Sequence, residues 1–392
     1  MPAFARSLRL LALLLCFSCA GTWAHAQLVI RIDEVPVGTT ASDTIYVAGS
    51  FNDWNPAAPA YQLRKDGRGY TITLPADIQG LIEFKFTLGA WERVETDARG
   101  GDVANRTFTV APGSLSYRAT IAGWRSGAAP AKPSTVTRSV SVLDTAFHMP
   151  QLNRTRRVWL YLPPDYATSN KRYPVLYMHD GQNVFDAATS YAGEWGVDEA
   201  LDSLHAAGDW GAIVVAVDHA GAGRVVEYSP WPTRLGGAEG EAYVEFLVKT
   251  LKPWIDARYR TRPERAHTGI AGSSMGGLIS FYAALKYPEV FGRAGVFSPA
   301  FWIAPAAYDF AARSKPLTDT RFYIISGGRE VAAGERSGVY QRDQERMIAT
   351  LTAAGFRPGS EIFATIAADG AHSEWFWRRE FPAAYRFLFE SK

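Results

Sequence analysis

The 392-residue sequence predicts an α/β protein in which a small all-β sandwich precedes a doubly wound, mostly parallel sheet. Three observations indicate this fold class. Short strands fill the first third of the chain, a stretch of small residues and prolines follows, and apolar runs then alternate with helix-length segments. Such alternation of strand and helix is typical of a parallel sheet covered by helices on both faces.

The first 26 residues are typical of a secretory signal peptide. Arg6 and Arg9 precede a short apolar run, and a small-x-small cleavage site ends at Ala26. Both cysteines, Cys16 and Cys19, lie in this segment, so the exported chain would have no thiol nucleophile and no thiolate metal site. We therefore expect a periplasmic or secreted protein. No later run of the sequence is apolar enough to predict a membrane helix.

The charge balance argues against nucleic acid or an anionic membrane as a partner. The chain has 41 basic and 39 acidic residues, and the two arginines of the predicted signal account for the difference. No bulk electrostatic field then favours a polyanionic partner. The high content of Trp (12) and Tyr (18) instead favours a saccharide partner, because these side chains stack on sugar rings.

Residues 27–124 predict a small all-β domain of the immunoglobulin-like sandwich type. Turn-forming Gly, Pro, Asn and Asp separate its short strands. Residues 125–136 contain the proline-rich stretch Ser126–Ser134, which has a linker composition, and we expect few contacts to cross it. The predicted strands are Leu28–Ile32, Thr44–Ala48, Gly69–Leu74, Ile82–Leu88 and Tyr117–Ile121.

Residues 137–392 predict the doubly wound domain. Its apolar runs have the length of buried strands, and the segments between them are long enough for helices. Helices are predicted at Glu239–Asp256, Met275–Tyr287 and Arg378–Phe389. The predicted strands are Arg157–Leu162, Pro174–His179, Ala212–Val217, His267–Ala271, Arg293–Phe297 and Arg321–Ser326.

The segment Gly272–Gly277, with the sequence G-S-S-M-G-G, predicts a nucleophile elbow. It follows the strand His267–Ala271, and the next helix begins at Met275. The motif needs this context, because the tight turn admits only small neighbours and lifts one serine to the sheet edge, beside the positive end of the helix. The spacing assigns Ser274 as the nucleophile and Ser273 as the small neighbour.

A base and an acid must follow the serine, in the chain order Ser, acid, His that accompanies this motif. His372 is the only histidine after the elbow, which makes it the candidate base. The acid should follow the end of a strand, because it must reach the imidazole and hold its tautomer. Glu330 follows the strand Arg321–Ser326 and is the candidate acid. The alternatives are Glu335 and Asp343.

Two backbone donors must stabilise the oxyanion of an acyl-transfer reaction. The N–H of Met275, next to the nucleophile, is one of them. The other is expected in the loop that follows the predicted strand Pro174–His179, where Gln182 is the candidate and Gly181 would give the chain freedom to turn. His179 and Asp180, in the same loop, fit better as groups that fix the loop than as reacting groups.

Separated blocks of the sequence lie at His179–Asp186, Arg224–Pro230, Trp254–Arg260, Gly272–Gly277 and Ser298–Trp302. Together they resemble the putative esterase family of α/β-hydrolases, which contains esterase D, feruloyl and acetylxylan esterases, and enterochelin esterases. The resemblance covers about 137–392. It implies the α/β-hydrolase fold, with Ser274, His372 and Glu330 as catalytic triad and no metal or organic cofactor. The candidate substrate-binding residues are His179, Asp180, Arg224 and Trp302.

The front domain resembles a starch-binding carbohydrate-binding module. The matching stretches, which include the G-x-F-x-x-W turn of those modules, are Val47–Pro56, Phe84–Glu92, Glu95 and Asn105–Arg106. The resemblance implies a glycan-stacking platform formed by Trp54 and Trp91. The alternative is that both tryptophans are partly buried and only hold the small sandwich together.

Together these observations predict an exported serine carboxylic-ester hydrolase that forms an acyl-enzyme, with acetyl or feruloyl esters of saccharides as the expected substrates. A siderophore ester is the alternative substrate. A basic pocket residue such as Arg224 would favour it, unless Arg224 pairs with Glu227. An acyltransferase and a glycan-binding protein are the alternatives from other functional classes.

Overall fold

The structure, a computed structural model, describes residues 27–389 apart from 53, 68, 77, 79, 112, 114–115, 127–131, 191–192, 234–235 and 331–337. The predicted signal peptide and Glu335, one of the alternative acids, lie outside these residues. In the part of the chain that is described, no helix has the length and apolar character needed to cross a membrane.

The front domain is an all-β sandwich. Its strands are β1 (Val29–Glu34), β2 (Tyr46–Gly49), β3 (Arg64–Asp66), β4 (Gly69–Thr73), β5 (Gly80–Thr87), β6 (Glu95–Thr96), β7 (Arg106–Val110), β8 (Ser116–Thr120) and β9 (Gly123–Trp124). One sheet has the order β3-β4-β1-β8, a second has the order β2-β5-β7, and β6 pairs with β9. Ile30, Val47 and Phe84 belong to one buried core between the sheets. Buried Glu95 is paired with Arg106 at 2.7 Å, which compensates its charge.

The second domain is built on one mostly parallel sheet. Its strands are β10 (Val140–Met149), β11 (Arg154–Tyr161), β12 (Val175–His179), β13 (Ile213–Val217), β14 (Thr268–Ser273), β15 (Arg293–Phe297), β16 (Arg321–Gly327) and β17 (Ile362–Ala367). They lie in the order β10-β11-β13-β12-β14-β15-β16-β17, and only the pairings of β11 with β10 and β13 are antiparallel among those described. The carboxyl ends of β12, β14, β15 and β16 therefore lie along one edge of the sheet.

Helices cover both faces of this sheet. They are α1 (Val197–Ala206), α2 (Arg224–Glu227), α3 (Gly240–Phe246), α4 (Lys252–Arg258), α5 (Met275–Lys286), α6 (Ala306–Arg313), α7 (Val339–Ala353) and α8 (Glu374–Phe389). Tyr177 packs in the core with α3 to α7, whereas its neighbours Leu176 and Met178 pack in the core with α1 and α8. Successive residues of a strand point to opposite faces, so the doubly wound α/β fold predicted from the sequence is confirmed.

The predicted helices differ from the observed ones in two places. The predicted helix Glu239–Asp256 is interrupted by a π-helical turn at Leu247–Leu251, between α3 and α4. The C-terminal helix begins at Glu374 rather than at Arg378, with the acidic side chain in its first turn, where a negative charge is favourable. The sequence prediction also lacks β10 and β17. Both are edge strands. Most side chains of β10 are exposed, so β10 lacks the apolar run that marks a central strand. β17 does contain an apolar run, I-F-A-T-I-A, but it is too short to be distinguished from a segment of helix by its pattern alone.

Candidate active site

The predicted elbow lies between strand β14 and helix α5. Ser274 has φ 58° and ψ −118°, a backbone conformation that residues other than glycine adopt only where the surrounding structure enforces it. Its N–H donates to the carbonyl of Phe297 at 2.9 Å. Gly272 permits the turn, because a Cβ at this position would lie 2.9 Å from the carbonyl carbon of Gly276. Ser274 is partly exposed and Ser273 is buried, as the elbow register requires.

The two candidate oxyanion donors follow the carboxyl ends of the neighbouring strands β14 and β12. Met275 is the first residue of α5, so its N–H has no acceptor within the helix. Gln182 lies in the short turn Gly181–Asn183 after β12. Its carbonyl accepts a hydrogen bond from the Thr189 hydroxyl at 2.8 Å, which fixes the turn to the rest of its loop.

The expected role of Gly181 needs correction. The left-handed residue of this turn is Asp180, with φ 57° and ψ 46°, so the reversal of the chain does not depend on Gly181. Gly181 is instead required by a close approach, because a Cβ there would lie 2.9 Å from the carbonyl carbon of Val217 at the end of β13. Because Gly181 has no side chain, the loop after β12 packs directly on strand β13. This loop, residues 180–190, contains Gln182 and is here called the oxyanion loop.

The imidazole of His372 and the carboxylate of Glu330 come together at the end of β16. His372 Nδ1 and Glu330 Oε2 are 3.8 Å apart, and neither atom has a hydrogen-bond partner among the described residues. The separation exceeds a hydrogen-bond length, as is common before substrate binding tightens a catalytic pair. Glu330 is 1% exposed, whereas the His372 side chain is 26% exposed. The alternative acid Asp343 lies on α7, where its carbonyl accepts from the Tyr308 hydroxyl.

Two buried residues to which the sequence assigned no role hold the carboxylate of Glu330. Ser298 donates its hydroxyl to Glu330 Oε1 and accepts the indole N–H of Trp377 at 2.8 Å. Trp377 also packs edge-on against the His372 ring, with centroids 5.2 Å apart, and Tyr340 lies 4.8 Å from the same ring. Ser298 belongs to one of the blocks of the family resemblance, but only the tertiary fold brings it to an acid 32 residues later.

Arg224 forms a bidentate ion pair with Asp180, with Nε to Oδ1 at 2.6 Å and Nη2 to Oδ2 at 2.8 Å. Burial acts to raise the pKa of Asp180, but the Arg224 guanidinium outweighs burial and lowers this pKa. Arg224 also donates to the Ser273 carbonyl at 3.3 Å, which ties the loop after β12 to the elbow. The alternative pairing of Arg224 with Glu227 is wrong, because Glu227 pairs with Arg156 at 2.6 Å.

His179 is buried beneath the elbow. The residue is only 3% exposed, and its Nδ1 lies 2.9 Å from the Tyr243 hydroxyl oxygen. Burial lowers the pKa of His179 to about 3, so the imidazole is neutral at physiological pH. This burial contradicts the prediction that His179 binds substrate. The burial of His179 instead fits the predicted role of fixing the loop. Asp180 fits the same role, because Arg224 holds its carboxylate.

Two further side chains lie near the base. Trp302, a predicted substrate-binding residue, is half-buried and packs against Val339 and Tyr340. Glu374, the first residue of α8, is 9% exposed and interacts electrostatically with His372. Burial raises the pKa of Glu374. Sequence reasoning missed this carboxyl group because it placed the start of the helix four residues too late.

Trp54 and Trp91 of the front domain are neighbours, as a stacking platform requires. Their ring centroids are 6.2 Å apart and the rings are inclined by 41°. Both residues are half-buried, so each ring keeps part of its surface in contact with solvent. The two tryptophans therefore combine an intramolecular contact with an exposed aromatic surface.

The described residues bring a serine hydroxyl, an imidazole, a buried carboxylate and backbone N–H groups to one edge of the sheet. This arrangement can carry out nucleophilic acyl transfer. In the described ranges, no group of three or more His, Cys, Asp or Glu residues is placed to bind a metal ion.

A protein-family model described as "Putative esterase" matches residues 149–388. The "Uncharacterized protein YbbA" of Bacillus subtilis (strain 168) is 28% identical over 245 residues, which are 60% of this chain and 92% of that protein. An "Alpha-amylase" of Niallia circulans is 41% identical over 93 residues, which are 24% of this chain and 7% of the amylase. The chain thus spans only a small part of the amylase.

The crystal structure of the enterobactin esterase FES from Shigella flexneri in the presence of enterobactin is also similar to this chain. The TM-score is 0.54, and the alignment covers 88% of each chain at 18% sequence identity. At this identity the similarity concerns the fold alone.

Proposed function

We propose that Ser274, His372 and Glu330 carry out the reaction of this chain, which belongs to the Putative esterase family and is a carboxylic-ester hydrolase. The observation that carries the proposal is the backbone of Ser274, whose φ of 58° presents the hydroxyl at a strand-to-helix elbow. The 3.8 Å approach of the buried Glu330 to His372 supports the assignment of the other two residues.

The proposed reaction proceeds through an acyl-enzyme. His372 takes the hydroxyl proton of Ser274 as Oγ attacks the ester carbonyl carbon, and the N–H groups of Met275 and Gln182 stabilise the resulting oxyanion. The tetrahedral intermediate then breaks the ester C–O bond, and His372 gives the proton to the leaving alcohol. A water molecule next transfers a proton to His372 and attacks the acyl carbon, and Ser274 recovers the proton as the acid leaves. The carboxylate of Glu330 stabilises the imidazolium.

The proposed substrate is an acylated saccharide, with an acetyl or feruloyl group, encountered outside the cytoplasm. The neighbouring rings of Trp54 and Trp91 support saccharide binding by the front domain. The similarity to part of an amylase points in the same direction. Binding of a polymer by this domain would raise the local concentration of ester at the catalytic domain. The sequence of the first 26 residues supports export.

A siderophore ester is the second candidate substrate, supported by the fold similarity to an enterobactin esterase. A ferric catecholate is anionic and would need basic groups in the pocket. Arg224 is already bound by Asp180, which compensates its charge and weakens this alternative. An acyltransferase would share the acyl-enzyme and differ in the molecule that accepts the acyl group.

A substrate panel tests the proposed function. We expect the full-length enzyme to hydrolyse p-nitrophenyl acetate, and to release acid from acetylated xylan or methyl ferulate with a higher kcat/KM than from a ferric catecholate ester. Ser274→Ala should retain its thermal transition and lose roughly 10⁴-fold or more in kcat. The reverse order of substrates would establish the siderophore alternative. Transfer to added alcohol in excess of hydrolysis would identify an acyltransferase, and full activity of Ser274→Ala would contradict the proposed mechanism.

A further inference from the structure

The segment between the two domains is bound to the catalytic domain at its described end. The Lys132 ammonium donates to the Ser190 carbonyl at 3.1 Å, and the Thr137 N–H donates to Asp198 Oδ2 at 2.8 Å. The described end of the predicted linker, from Lys132 onward, is therefore attached to the catalytic domain that follows it. Residues 132–137, here called the strap, are thus a largely exposed segment that is docked on the catalytic domain rather than a loose linker.

Thr135, in the middle of this strap, binds three residues of the catalytic domain. Its N–H donates to Asp186 Oδ1 at 3.1 Å, and its hydroxyl donates to Glu194 Oε2 at 2.6 Å. The hydroxyl oxygen also accepts the N–H of Ala187 at 2.9 Å. Glu194 is 8% exposed, so the hydroxyl makes a charge-assisted bond in a nearly buried setting. The Thr135 hydroxyl thus links two stretches of the catalytic domain, the loop that contains Ala187 and the segment that contains Glu194.

The first of these stretches is the loop that carries the proposed oxyanion donor Gln182. The carbonyl of Asp186 accepts the Thr189 N–H at 3.2 Å, and the Thr189 hydroxyl donates to the Gln182 carbonyl at 2.8 Å. Because Thr135 holds Asp186 by its carboxylate and Ala187 by its backbone, it fixes the far end of this loop. A chain of hydrogen bonds therefore connects Thr135 with the turn that contains Gln182.

The second stretch leads to the helix that supports the base. Glu194, the acceptor of the Thr135 hydroxyl, also binds Arg378 of α8 at 3.0 Å. The residue before Arg378 is Trp377, which packs on the ring of His372 and donates to the serine that holds the acid. The Thr135–Glu194–Arg378 bridge therefore connects the oxyanion loop with the helix that places the base.

We propose that Thr135 is a positioning residue for acyl transfer, which fixes the position of the oxyanion loop relative to helix α8. The inference rests on the proposed function, because it concerns the geometry of Gln182 and His372. Small displacements of catalytic groups lower the rate of the chemical step more than they weaken the binding of the ground state. Loss of the Thr135 hydroxyl should therefore reduce kcat and leave KM nearly unchanged.

The test compares Thr135→Val with Thr135→Ser in the full-length chain. Valine matches the shape of threonine without the hydroxyl, and serine retains the hydroxyl. For p-nitrophenyl acetate we expect Thr135→Val to lower kcat about tenfold with KM within about twofold, and Thr135→Ser to stay within about twofold of wild type. A matched control is Thr250→Val, which removes a hydroxyl that bonds Gln151 at 2.9 Å and should leave kcat unchanged.

A second readout addresses the oxyanion site directly. A small alkyl boronic acid forms a tetrahedral adduct with the serine and samples the oxyanion donors, so its affinity should fall about tenfold in Thr135→Val and remain unchanged in Thr250→Val. Wild-type kcat and boronate affinity in Thr135→Val would overturn the inference, while activity in Ser274→Ala would overturn the proposed function instead. If Thr135→Val does not fold, Glu194→Gln weakens the same bridge and decides the question by the same two measurements.

Discussion

At the scale of single residues, the carboxylate of Glu330 is bound on one side and unbound on the other among the described residues. Ser298 holds Oε1, and Oε2 faces the imidazole of His372 at 3.8 Å. A buried negative charge gains most from a partner that becomes positive. His372 acquires a positive charge when it takes the serine proton, so this arrangement stabilises the transition state more than the resting enzyme.

Glu330→Gln should lower kcat on p-nitrophenyl acetate by roughly 10²–10⁴-fold, because the amide retains the shape but not the charge that stabilises the imidazolium. The measurement is steady-state kinetics at neutral pH, with thermal denaturation as a check on folding. Asp343→Asn is the control and should leave kcat unchanged. A large loss of activity in Asp343→Asn or in Glu335→Gln, with little change in Glu330→Gln, would move the acid to another residue.

Single residues also mark how far the sequence alone could predict the site. Ser274 and His372 could be proposed because one lies in a local motif and the other is unique after it. The pairing of Arg224 with Asp180 joins residues 44 positions apart, and a closer carboxylate, Glu227, misled the sequence argument. Partner choice of this kind depends on packing that no local pattern records.

At the scale of structural elements, helix α1 begins with a buried carboxyl group that receives the strap. Asp198 has no measurable exposure, and its Oδ2 accepts the Thr137 N–H. Burial raises the pKa of Asp198 to about 7, and the neighbouring carboxylate of Glu199 acts in the same direction. Because the folded-state pKa exceeds the ordinary value of 3.8, this group favours folding most below pH 4, and its contribution is lost as the pH rises towards 7.

Asp198→Asn should therefore make stability less dependent on pH, since asparagine stays neutral and still accepts the Thr137 N–H. Between pH 5 and pH 8 the melting temperature of the wild type should fall about 5–10 °C further than that of the variant. Thermal denaturation at the two pH values measures the difference. Asp144→Asn, at an exposed aspartate that accepts the Ala146 N–H at 2.7 Å, is the control. An equal fall in melting temperature between pH 5 and pH 8 for Asp198→Asn and the wild type would contradict the expected titration.

The elements differ in how well the sequence predicts them. Central strands such as β12 and β15 are buried on both faces and appear as continuous apolar runs, so their positions follow from the sequence within a residue or two. The edge strand β10 is mostly exposed and has no such signature. The edge strand β17 is apolar, but a run of six residues cannot be assigned to a strand rather than a helix by its pattern alone. The π-helical turn Leu247–Leu251 changes the register of a helix without changing its apolar character, and sequence periodicity cannot locate it.

At the scale of the whole molecule, the front domain is proposed to bring the catalytic domain to a polymer. Trp54→Ala combined with Trp91→Ala should abolish the retardation of the full-length chain in a starch or xylan affinity gel, because stacking on the two rings is lost. Hydrolysis of p-nitrophenyl acetate should be unchanged. Trp210→Ala removes a tryptophan of the catalytic domain that is 52% exposed and serves as the control. Equal mobility of the wild type with and without polysaccharide would reduce the front domain to a structural role.

The nucleophile itself is the most direct point at which to test the account. A fluorophosphonate reacts with an activated serine and leaves a stable adduct, which tandem mass spectrometry can assign within the tryptic peptide Ala266–Lys286. We predict a single adduct on Ser274, with none formed by Ser274→Ala. An adduct on Ser273, or ester hydrolysis by an enzyme that the reagent neither labels nor inhibits, would contradict the assignment of Ser274 as the nucleophile.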